Sequence, residues 1–349
     1  MLFSVFNRVI FLRSCLFLAL GFCFFVLFAS KKETVKQNHL TGLTMGTIYN
    51  IKYLEIKGIP TSEKLSLEIN TILEKVNNQM STYRQDSELT QFNQYQGTAP
   101  FPVSHEITIV VKEAIRLSNL TLGALDITVG PLVNLWGFGP ENRLKKVPTD
   151  IELAKYKKNI GIHNLSVTDS TLRKKIPNLY IDLSTIAKGW AVDLLANYMQ
   201  SVGIENYIVE VGGEMHLKGV NQQGQPWRIA IEKPIPDQRI IQTIIEPGNT
   251  AVSTSGDYRN YFKHNGVYYS HIINPETGQP IENNIASVTV FDKSSMTADG
   301  LSTALMVLGK DKGMELANQY KIPVYMIIKT KNGFMELASN AYKSSIMNI

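Results

Sequence analysis

A carboxylate and two hydroxyls share one segment near the C-terminus, TADGLSTALMVLG (297–309). Asp299 and Thr303 are four residues apart, so on a helix they lie on one face, and Ser302 lies on nearly the same side. These hard oxygen ligands suit Mg²⁺ rather than zinc. Mg²⁺ needs only one or two protein carboxylates, because water and substrate phosphates complete its shell. The alternative is a capped helix start, in which Asp299 accepts hydrogen bonds from backbone amides.

A second segment, IDLSTIAKGWAVD (181–193), combines a carboxylate, two hydroxyls and a lysine. We expect Asp182 to end a strand and a helix to open with Ser184 and Thr185, where free amides attract phosphate. Lys188 could neutralise phosphate charge or pair with a carboxylate. The alternative is an ordinary N-capped helix with a solvated lysine.

Glycines concentrate in GALDITVGPLVNLWGFG (123–139), which also holds Asp126 and follows no helical or strand period. Such density indicates tight turns or a close approach of the main chain to another group. The pair Gly212 and Gly213, in VEVGGEMHLKG (209–219), could likewise admit a flat ligand or a phosphate to the backbone. The alternatives are a turn-rich connection in the first segment and a hairpin turn in the second.

One histidine lies among many polar groups. The segment 251–262 places Ser255 near Arg259, and SHIINPETGQPI (270–281) follows with His271 directly after a predicted strand. His271 is a candidate base or ligand contact, and the alternative is a structural or solvated histidine.

Two side chains that could cover a planar ring occupy polar settings. Met45 lies in TMGT (44–47), and Tyr83 lies in the stretch 80–93. The alternative for both is core packing.

Hydrophobic periodicity predicts the elements that hold these segments. Helices are expected at residues 62–80, 104–123, 148–161, 184–203, 295–308 and 311–320. Strands are expected at 47–56, near 167 and 180, and at 206–211, 227–232, 241–246, 251–255, 268–273, 286–291, 323–328 and 334–338. Because helices and strands mix without a regular βαβ alternation, we predict an α+β fold with mixed sheets and packed helices.

The composition is that of a globular protein. The 349 residues are 44% hydrophobic and 19% charged, enough for a large core. Removing Arg8 and Arg13 of the leader leaves 33 basic against 30 acidic residues, a net charge of +3, with no dense basic stripe. We therefore expect no nucleic-acid partner. Both cysteines, Cys15 and Cys23, lie in the leader, which excludes a disulfide framework, a thiol nucleophile and a cysteine metal site from the rest.

The first thirty residues are typical of an export signal. A basic start precedes an apolar stretch, 14–30, which is barely long enough to cross a bilayer. A cleaved signal peptide and a retained membrane anchor both stay open, as does a lipid at Cys23. The alternative for Cys15 and Cys23 is that they are ordinary apolar residues of the leader. Residues 31–40 read as a linker and 41–349 as the catalytic domain. We expect export to the periplasmic side of the bacterial inner membrane.

Taken together, these segments resemble the ApbE family, the FAD:protein FMN transferases. The resemblance begins near Thr44, reaches the C-terminal strands, and rests on TMGT, MSTY, GALDITVGPLVNLWGFGP, DLSTIAKGWAVD, VGGE, STSGDYRNYF, SHIINPETG and the AD…T helix, in that order. It implies a single ApbE-like (T-fold-like) catalytic domain. The implied reaction is Mg²⁺-dependent transfer of FMN from FAD to a threonine hydroxyl of an acceptor protein, with release of AMP.

The resemblance also implies roles for single residues. The FAD contacts would be Met45, Tyr83, Ala124, Leu125, Asp126, Asp182, Lys188 and Ile273. The metal ligands would be the carbonyl of Thr185, the side chains of Asp299 and Thr303, and a contribution from Ser302. His271 matches a catalytic histidine, and Asp299 or a metal-bound hydroxide could act as the base instead. Two positions depart from the family: Asn274 replaces an acid, and Ser302 stands where some members have a carboxylate.

Three functions stay open at this point. The implied acceptors are flavin-carrying subunits of membrane redox-driven ion pumps. The same site would serve a metal-dependent FAD pyrophosphatase that releases FMN and AMP. The third function is an exported FAD-binding carrier without catalysis, against which the Asp299 and Thr303 pair argues.

Overall fold

The computed structural model of the chain describes residues 35–141, 144–235, 238, 240–258 and 260–346. From Gln37 onward the described residues form one compact unit. The predicted leader with Cys23, and Arg259, lie outside the described residues. Within the part that is described, no helix is long and apolar enough to span a bilayer.

The helices follow from apolar residues spaced along one face and from polar caps. In the first helix Leu65, Ile69 and Val76 are fully buried, and the Thr61 hydroxyl accepts from the amide of Lys64. The described helices are α1 (Ser62–Met80), α2 (Glu88–Gln94), α3 (His105–Leu120), α4 (Gly130–Leu135), α5 (Asp150–Lys157), α6 (Ala187–Ser201), α7 (Ser295–Leu308), α8 (Lys310–Gln319) and α9 (Asn340–Ser345).

The strands are mostly β-branched or aromatic and pair antiparallel throughout. They are β1 (Gln37–Thr44), β2 (Thr47–Leu54), β3 (Phe101–Pro102), β4 (Leu165–Val167), β5 (Thr171–Lys174), β6 (Tyr207–Val211), β7 (Glu214–Lys218), β8 (Ile229–Glu232), β9 (Ile241–Ile245), β10 (Thr250–Gly256), β11 (Tyr261–His264), β12 (Val267–Ser270), β13 (Ile285–Asp292), β14 (Val324–Thr330) and β15 (Gly333–Ala338).

One large sheet organises the molecule. Its strand order is β1-β2-β6-β7-β10-β13-β14-β15, and three smaller sheets pair β3-β5-β4, β8-β9 and β11-β12. Helices α1, α6 and α7 cover one face of the large sheet and bury the main core against it. The hairpin β8-β9 and helix α9 cover part of the other face. The predicted α+β class is confirmed.

Local pairing changes several predicted boundaries. The first strand begins at Gln37, inside the predicted linker 31–40, because β2 supplies partners that composition does not reveal. No strand forms at Tyr180: the residues just before Asp182 have no regular secondary structure, and the backbone of Ile181 bonds to the side chain of Asn93 instead of to a strand. The predicted helix 148–161 is shorter: α5 ends at Lys157, and a separate 3₁₀ turn, Ile162–Asn164, follows it.

Candidate active site

Hydroxyls and a carboxylate converge between helix α7 and strand β10. Ser302 Oγ donates to the backbone carbonyl of Asp299 at 2.9 Å. Ser255 Oγ lies 2.8 Å from Ser302 Oγ and 3.2 Å from Thr303 Oγ1, so it bridges the two helical hydroxyls. Asp299 and Ser302 are buried. The predicted pair Asp299 and Thr303 therefore belongs to one small oxygen-lined cluster.

Helix α6 adds charge to this cluster. Lys188 Nζ lies 2.6 Å from Glu214 Oε1 and 3.6 Å from Asp299 Oδ1. Burial alone would lower the pKa of Lys188, but the two carboxylates outweigh it and raise that pKa above its ordinary value. Burial raises the pKa of Glu214, although Lys188 opposes the shift. When both acids are ionised, the buried cluster carries one more negative than positive charge.

Two close approaches hold α6 against α7. The amide of Gly189, whose regular helical acceptor would be the carbonyl of Thr185, donates instead to Asp299 Oδ2 at 3.0 Å. A Cβ at Gly189 would collide with the backbone carbonyl of Ser295. Thr185 Oγ1 is buried without a hydrogen-bond partner in the described structure. Oxygen atoms of Thr185 are thus available beside the carboxylate of Asp299.

The start of α6 differs from the prediction. The helix begins at Ala187, and Ser184 and Thr185 lie in the turn before it. The amide of Ser184 donates to Asp182 Oδ1 at 2.9 Å, so that amide is already satisfied. The buried carboxylate of Asp182 has a raised pKa because it is desolvated. This arrangement forms because the short Asp side chain bonds a backbone amide two residues ahead, a turn that competes with the helix.

The glycine-rich run lies alongside Asp182. The amide of Asp182 donates to the carbonyl of Ile127 at 2.7 Å. Asp126 accepts from the amide and the hydroxyl of Thr128 at 2.8 and 2.6 Å, and burial raises its pKa. Gly130 is required here because a Cβ would approach the ring of Tyr180 to 2.5 Å. The structure thus brings Asp126 and Asp182 together on neighbouring segments.

Two turns and the end of α1 meet near the glycine pair. Met45 has a φ of 49° in the turn between β1 and β2. The amide of Gly212 donates to the backbone carbonyl of Ile48, in β2, at 3.0 Å. The side chain of Asn77, in the last turn of α1, donates to Thr44 Oγ1 at 3.2 Å. TMGT and VGGE therefore lie side by side, and Glu214 follows the glycine pair directly.

Tyr83 lies just beyond α1, and its side chain is 69% exposed. Partial desolvation and the charge of Asp182 raise the pKa of Tyr83, which puts the two side chains within electrostatic reach. An exposed ring beside a buried acid is suited to covering a planar ligand.

Two of the predicted FAD contacts have side chains that are buried in apolar clusters. Leu125 is buried in the main core, and Ile273 is buried beside Trp136 in a smaller cluster. Their side chains face apolar neighbours, so only their main chains are available to a ligand. Ala124 is partly buried against the main core.

His271 is held in one tautomer. Its backbone amide and its Nδ1 both lie near the carbonyl of Asn260, at 3.2 and 3.0 Å. A carbonyl only accepts, so Nδ1 carries the proton and Nε2 keeps a lone pair. Burial lowers the pKa of His271, and the charge of Lys188 acts in the same direction. The imidazole is thus neutral near pH 7 and can accept a proton at Nε2.

The loop after His271 is held by Asn274. Its Oδ1 accepts from the amides of Glu276 and Thr277 at 2.8 and 3.4 Å. The amide oxygen makes these bonds without a negative charge, so the departure from an acid at this position leaves the loop intact.

Comparison with known proteins places these features in a family. The model of the ApbE family matches residues 45–326. The FAD:protein FMN transferase of Vibrio cholerae serotype O1 is 60% identical over 318 residues, which cover 91% of this chain and 95% of that protein. The chain belongs to the ApbE family.

Solved structures of ApbE proteins share the fold. The flavin transferase ApbE from Vibrio cholerae superposes with a TM-score of 0.84 at 60% identity, covering 89% of this chain and 99% of that one. The flavinyl transferase ApbE from Pseudomonas stutzeri, in its apo form, gives a TM-score of 0.83 at 40% identity and covers 89% and 97%. The whole described domain of this chain is therefore an ApbE domain.

The sequence did not predict what three residues around this ApbE site contact. Glu214 and Ser255 lie inside segments that the sequence singles out, but only the fold pairs them with Lys188 and Thr303. Asp193 accepts from Ser294 Oγ and from the amides of Ser295 and Met296, at 2.7 to 3.0 Å, and so caps α7. An acid that directly follows two glycines is the one sequence signal that could have indicated Glu214.

Proposed function

We propose that this chain, a FAD:protein FMN transferase by its family and its 60% identity to one, transfers FMN from FAD to a threonine hydroxyl of an acceptor protein and releases AMP. The observation that carries the proposal is the buried contact of Lys188 with Asp299 beside the hydroxyls of Ser302 and Thr303. A flavin carrier would not need this combination of charge and hard oxygen ligands.

The residues at this cluster fit a divalent cation. Among the described residues no three His, Cys, Asp or Glu side chains form a metal site, so the ligands must include hydroxyl and carbonyl oxygens. Asp299, Thr303, the carbonyl of Thr185 and Ser302 would hold Mg²⁺, and the carboxylate of Asp299 would supply the formal negative charge that favours it. When bound, Mg²⁺ neutralises pyrophosphate charge and acts as a Lewis acid.

The protein residues supply the remaining parts of the reaction. The threonine oxygen attacks the flavin-side phosphorus of FAD, a new P–O bond forms, and the bond to the bridging oxygen breaks, so AMP leaves with that oxygen. His271 accepts the threonine proton at Nε2, since Nδ1 is committed to Asn260. Lys188 would offset negative charge on the pyrophosphate.

The flavin would lie against the surface that joins Tyr83, Asp126 and Asp182. Met45 would add its flexible side chain from the neighbouring turn. Ala124, Leu125 and Ile273 would contact FAD through backbone atoms, because the last two side chains are buried in apolar clusters.

The proposed acceptors are flavin-carrying subunits of membrane redox-driven ion pumps, on the periplasmic side of the inner membrane. Support comes from the leader, whose basic start and apolar stretch are typical of export. Fusing an alkaline phosphatase reporter after residue 60 tests the location. Reporter activity indicates export, and an inactive reporter with an active cytoplasmic control contradicts it.

The function is tested with purified protein, FAD, Mg²⁺ and the soluble domain of such a subunit from the same genome. Intact mass of the acceptor and release of AMP are measured, with and without EDTA. A gain of one FMN that EDTA prevents supports the transferase. The same assay is repeated with a synthetic peptide that carries the acceptor threonine. Release of AMP and free FMN, with neither the domain nor the peptide labelled, would indicate a pyrophosphatase.

A further inference from the structure

Lys188 lies unequally between two buried carboxyl groups. Its Nζ is 2.6 Å from Glu214 Oε1, which is hydrogen-bond distance, and 3.6 Å from Asp299 Oδ1, which is beyond it. The side chains of Glu214 and Asp299 are 4% and 2% exposed, so little water competes for either contact. The ammonium group is therefore bound by Glu214 and only faces Asp299.

The turn before β7 places Glu214. Gly212 and Gly213 have φ of 60° and 106°, values that favour glycine, and Glu214 begins the strand directly after them, paired with Val211. Its Oε1 accepts from Lys188, whereas its Oε2 is buried without a hydrogen-bond partner among the described residues. A buried oxygen without a partner costs stability, so folding alone does not account for an acid at this position.

The distance from Lys188 to Asp299 decides what Asp299 can bind. Because Oδ2 accepts from the amide of Gly189, Oδ1 is the oxygen left to meet a cation. An ammonium group at hydrogen-bond distance from Oδ1 would occupy that oxygen and repel a divalent cation beside it. The described residues give Lys188 two ion-pair partners, Glu214 and Asp299. Removing Glu214 should therefore let the lysine move onto Asp299.

We propose that Glu214 is a positioning residue, which holds the ammonium group of Lys188 off Asp299 so that Oδ1 stays open to a divalent cation. The inference rests on the proposed function, because that function places the cation at Asp299. Burial raises the pKa of Glu214, but Oε1 accepts from the ammonium group whether or not the carboxyl group is ionised. Residues that orient a metal ligand without touching the metal typically change metal affinity by about 10–100-fold when mutated.

The test is the binding of Mn²⁺ to the full-length protein without FAD, measured from the loss of the EPR signal of free Mn²⁺. Glu214→Leu removes the acceptor and should weaken Mn²⁺ binding at least about tenfold. Glu214→Gln keeps an oxygen that accepts from Lys188 and should bind Mn²⁺ nearly as tightly as the wild type. Adding Lys188→Met to Glu214→Leu removes the ammonium group that would cover Asp299, so the double variant should regain the Mn²⁺ affinity of the wild type.

Glu205→Leu is the matched control. Glu205 also lies 2.6 Å from a lysine, Lys218, but this pair has no contact with Asp299. Glu205→Leu should leave Mn²⁺ binding unchanged. Thermal unfolding shows whether each variant is folded. If Glu214→Leu does not fold, Glu214→Ala takes its place alone and in the double variant.

The outcomes separate this inference from the function on which it rests. Wild-type affinity in Glu214→Leu, or a loss that Lys188→Met does not restore, would overturn the inference, and an acceptor still labelled by the wild type would leave the transferase standing. The expected Mn²⁺ affinities without any labelling of acceptor would support the positioning role and overturn the transferase. Wild-type protein that binds no Mn²⁺ would overturn both the inference and the metal site on which it rests.

Discussion

At the residue scale, the carboxylate of Asp299 makes two different contacts, one with each oxygen. Asp299 uses Oδ2 to hold the amide of Gly189 and directs Oδ1 toward Lys188. One carboxylate thus fixes the contact between two helices and, in the proposed metal site, would provide the formal negative charge for a cation. Substitutions that keep its shape but not its charge can separate these two roles.

Asp299→Asn should remove metal-dependent FMN transfer while the fold stays intact. The amide oxygen can still accept from Gly189, but it offers no charge to a cation, so we expect at least about a 100-fold loss of turnover. The turnover is measured as the rate of AMP release at increasing Mg²⁺ concentration. The control is Asp311→Asn, which changes an exposed acid in the first turn of α8. Wild-type rates in Asp299→Asn would exclude this carboxylate from the metal site.

His271 should impose an acidic limb on the rate profile. Because burial lowers its pKa, the imidazole stays neutral down to pH values below about 6.5, and the rate should fall only as the pH drops further. His271→Ala should lose roughly 10²–10⁴-fold in kcat and lose that limb with it. The pH dependence of kcat measures both, and His39→Ala, which removes an exposed histidine on β1, is the matched control. An unchanged acidic limb in His271→Ala would assign the base to another group.

At the element scale, the site depends on the seating of α7. Asp193 on α6 caps the first turn of α7 with three hydrogen bonds. An acid at a helix N-terminus also complements the helix dipole. The cap therefore fixes where Asp299 and Thr303 lie relative to Lys188.

Asp193→Ala should destabilise the protein and disturb the metal site at the same time. We expect a loss of about 2 kcal/mol in the free energy of unfolding, measured by urea denaturation, and a higher Mg²⁺ concentration for half-maximal transfer. Asp311→Ala, which removes an acid that makes no cap on α8, should stay within about 0.5 kcal/mol. Equal stability of the two variants would show that the cap contributes little.

Helices were the elements best predicted from sequence. The periodicity of 62–80 and 295–308 coincides with α1 and α7, because long amphipathic helices carry their signal locally. Strand β1 and the missing strand at Tyr180 could not be predicted, since pairing depends on partners far along the chain. For the same reason the sequence could indicate Asp299 and Thr303 as a pair but not the cross-links from Ser255 and Glu214.

At the scale of the whole molecule, a buried lysine joins three parts of the fold. Lys174 on β5 is fully buried, and its Nζ donates to the carbonyls of Asn93 and Tyr95, at 3.0 and 2.8 Å. Asn93 in turn holds Ile181, the residue before Asp182. Desolvation lowers the pKa of Lys174 to about 8. Global stability is therefore linked to the protonation of this side chain.

Lys174 should make the protein more stable as the pH rises from about 8 to about 10.5. In that window the unfolded chain binds more protons than the folded one, so the free energy of unfolding increases with pH, by up to about 3 kcal/mol. Lys174→Met should lack this increase, although losing the hydrogen bonds to carbonyls lowers its stability at every pH.

Lys175→Met is the matched control, because Lys175 is exposed and directly follows Lys174 at the end of β5. Urea denaturation at several pH values should give Lys175→Met the slope of the wild type, and tyrosine titration cancels in the comparison. A parallel slope in Lys174→Met would mean that Lys174 titrates normally when folded.

The burial of Leu125 and Ile273 has a consequence for how this protein can change over evolutionary time. If FAD contacts only their backbone atoms, selection at these two positions acts on how well the side chain fills the hydrophobic core and not on its contact with the flavin. Leucine, isoleucine and methionine should then interchange there with small effects on flavin affinity, while a polar residue should first lower the yield of folded protein. The catalytic surface and the hydrophobic core would share residues, so drift in one is constrained by the other.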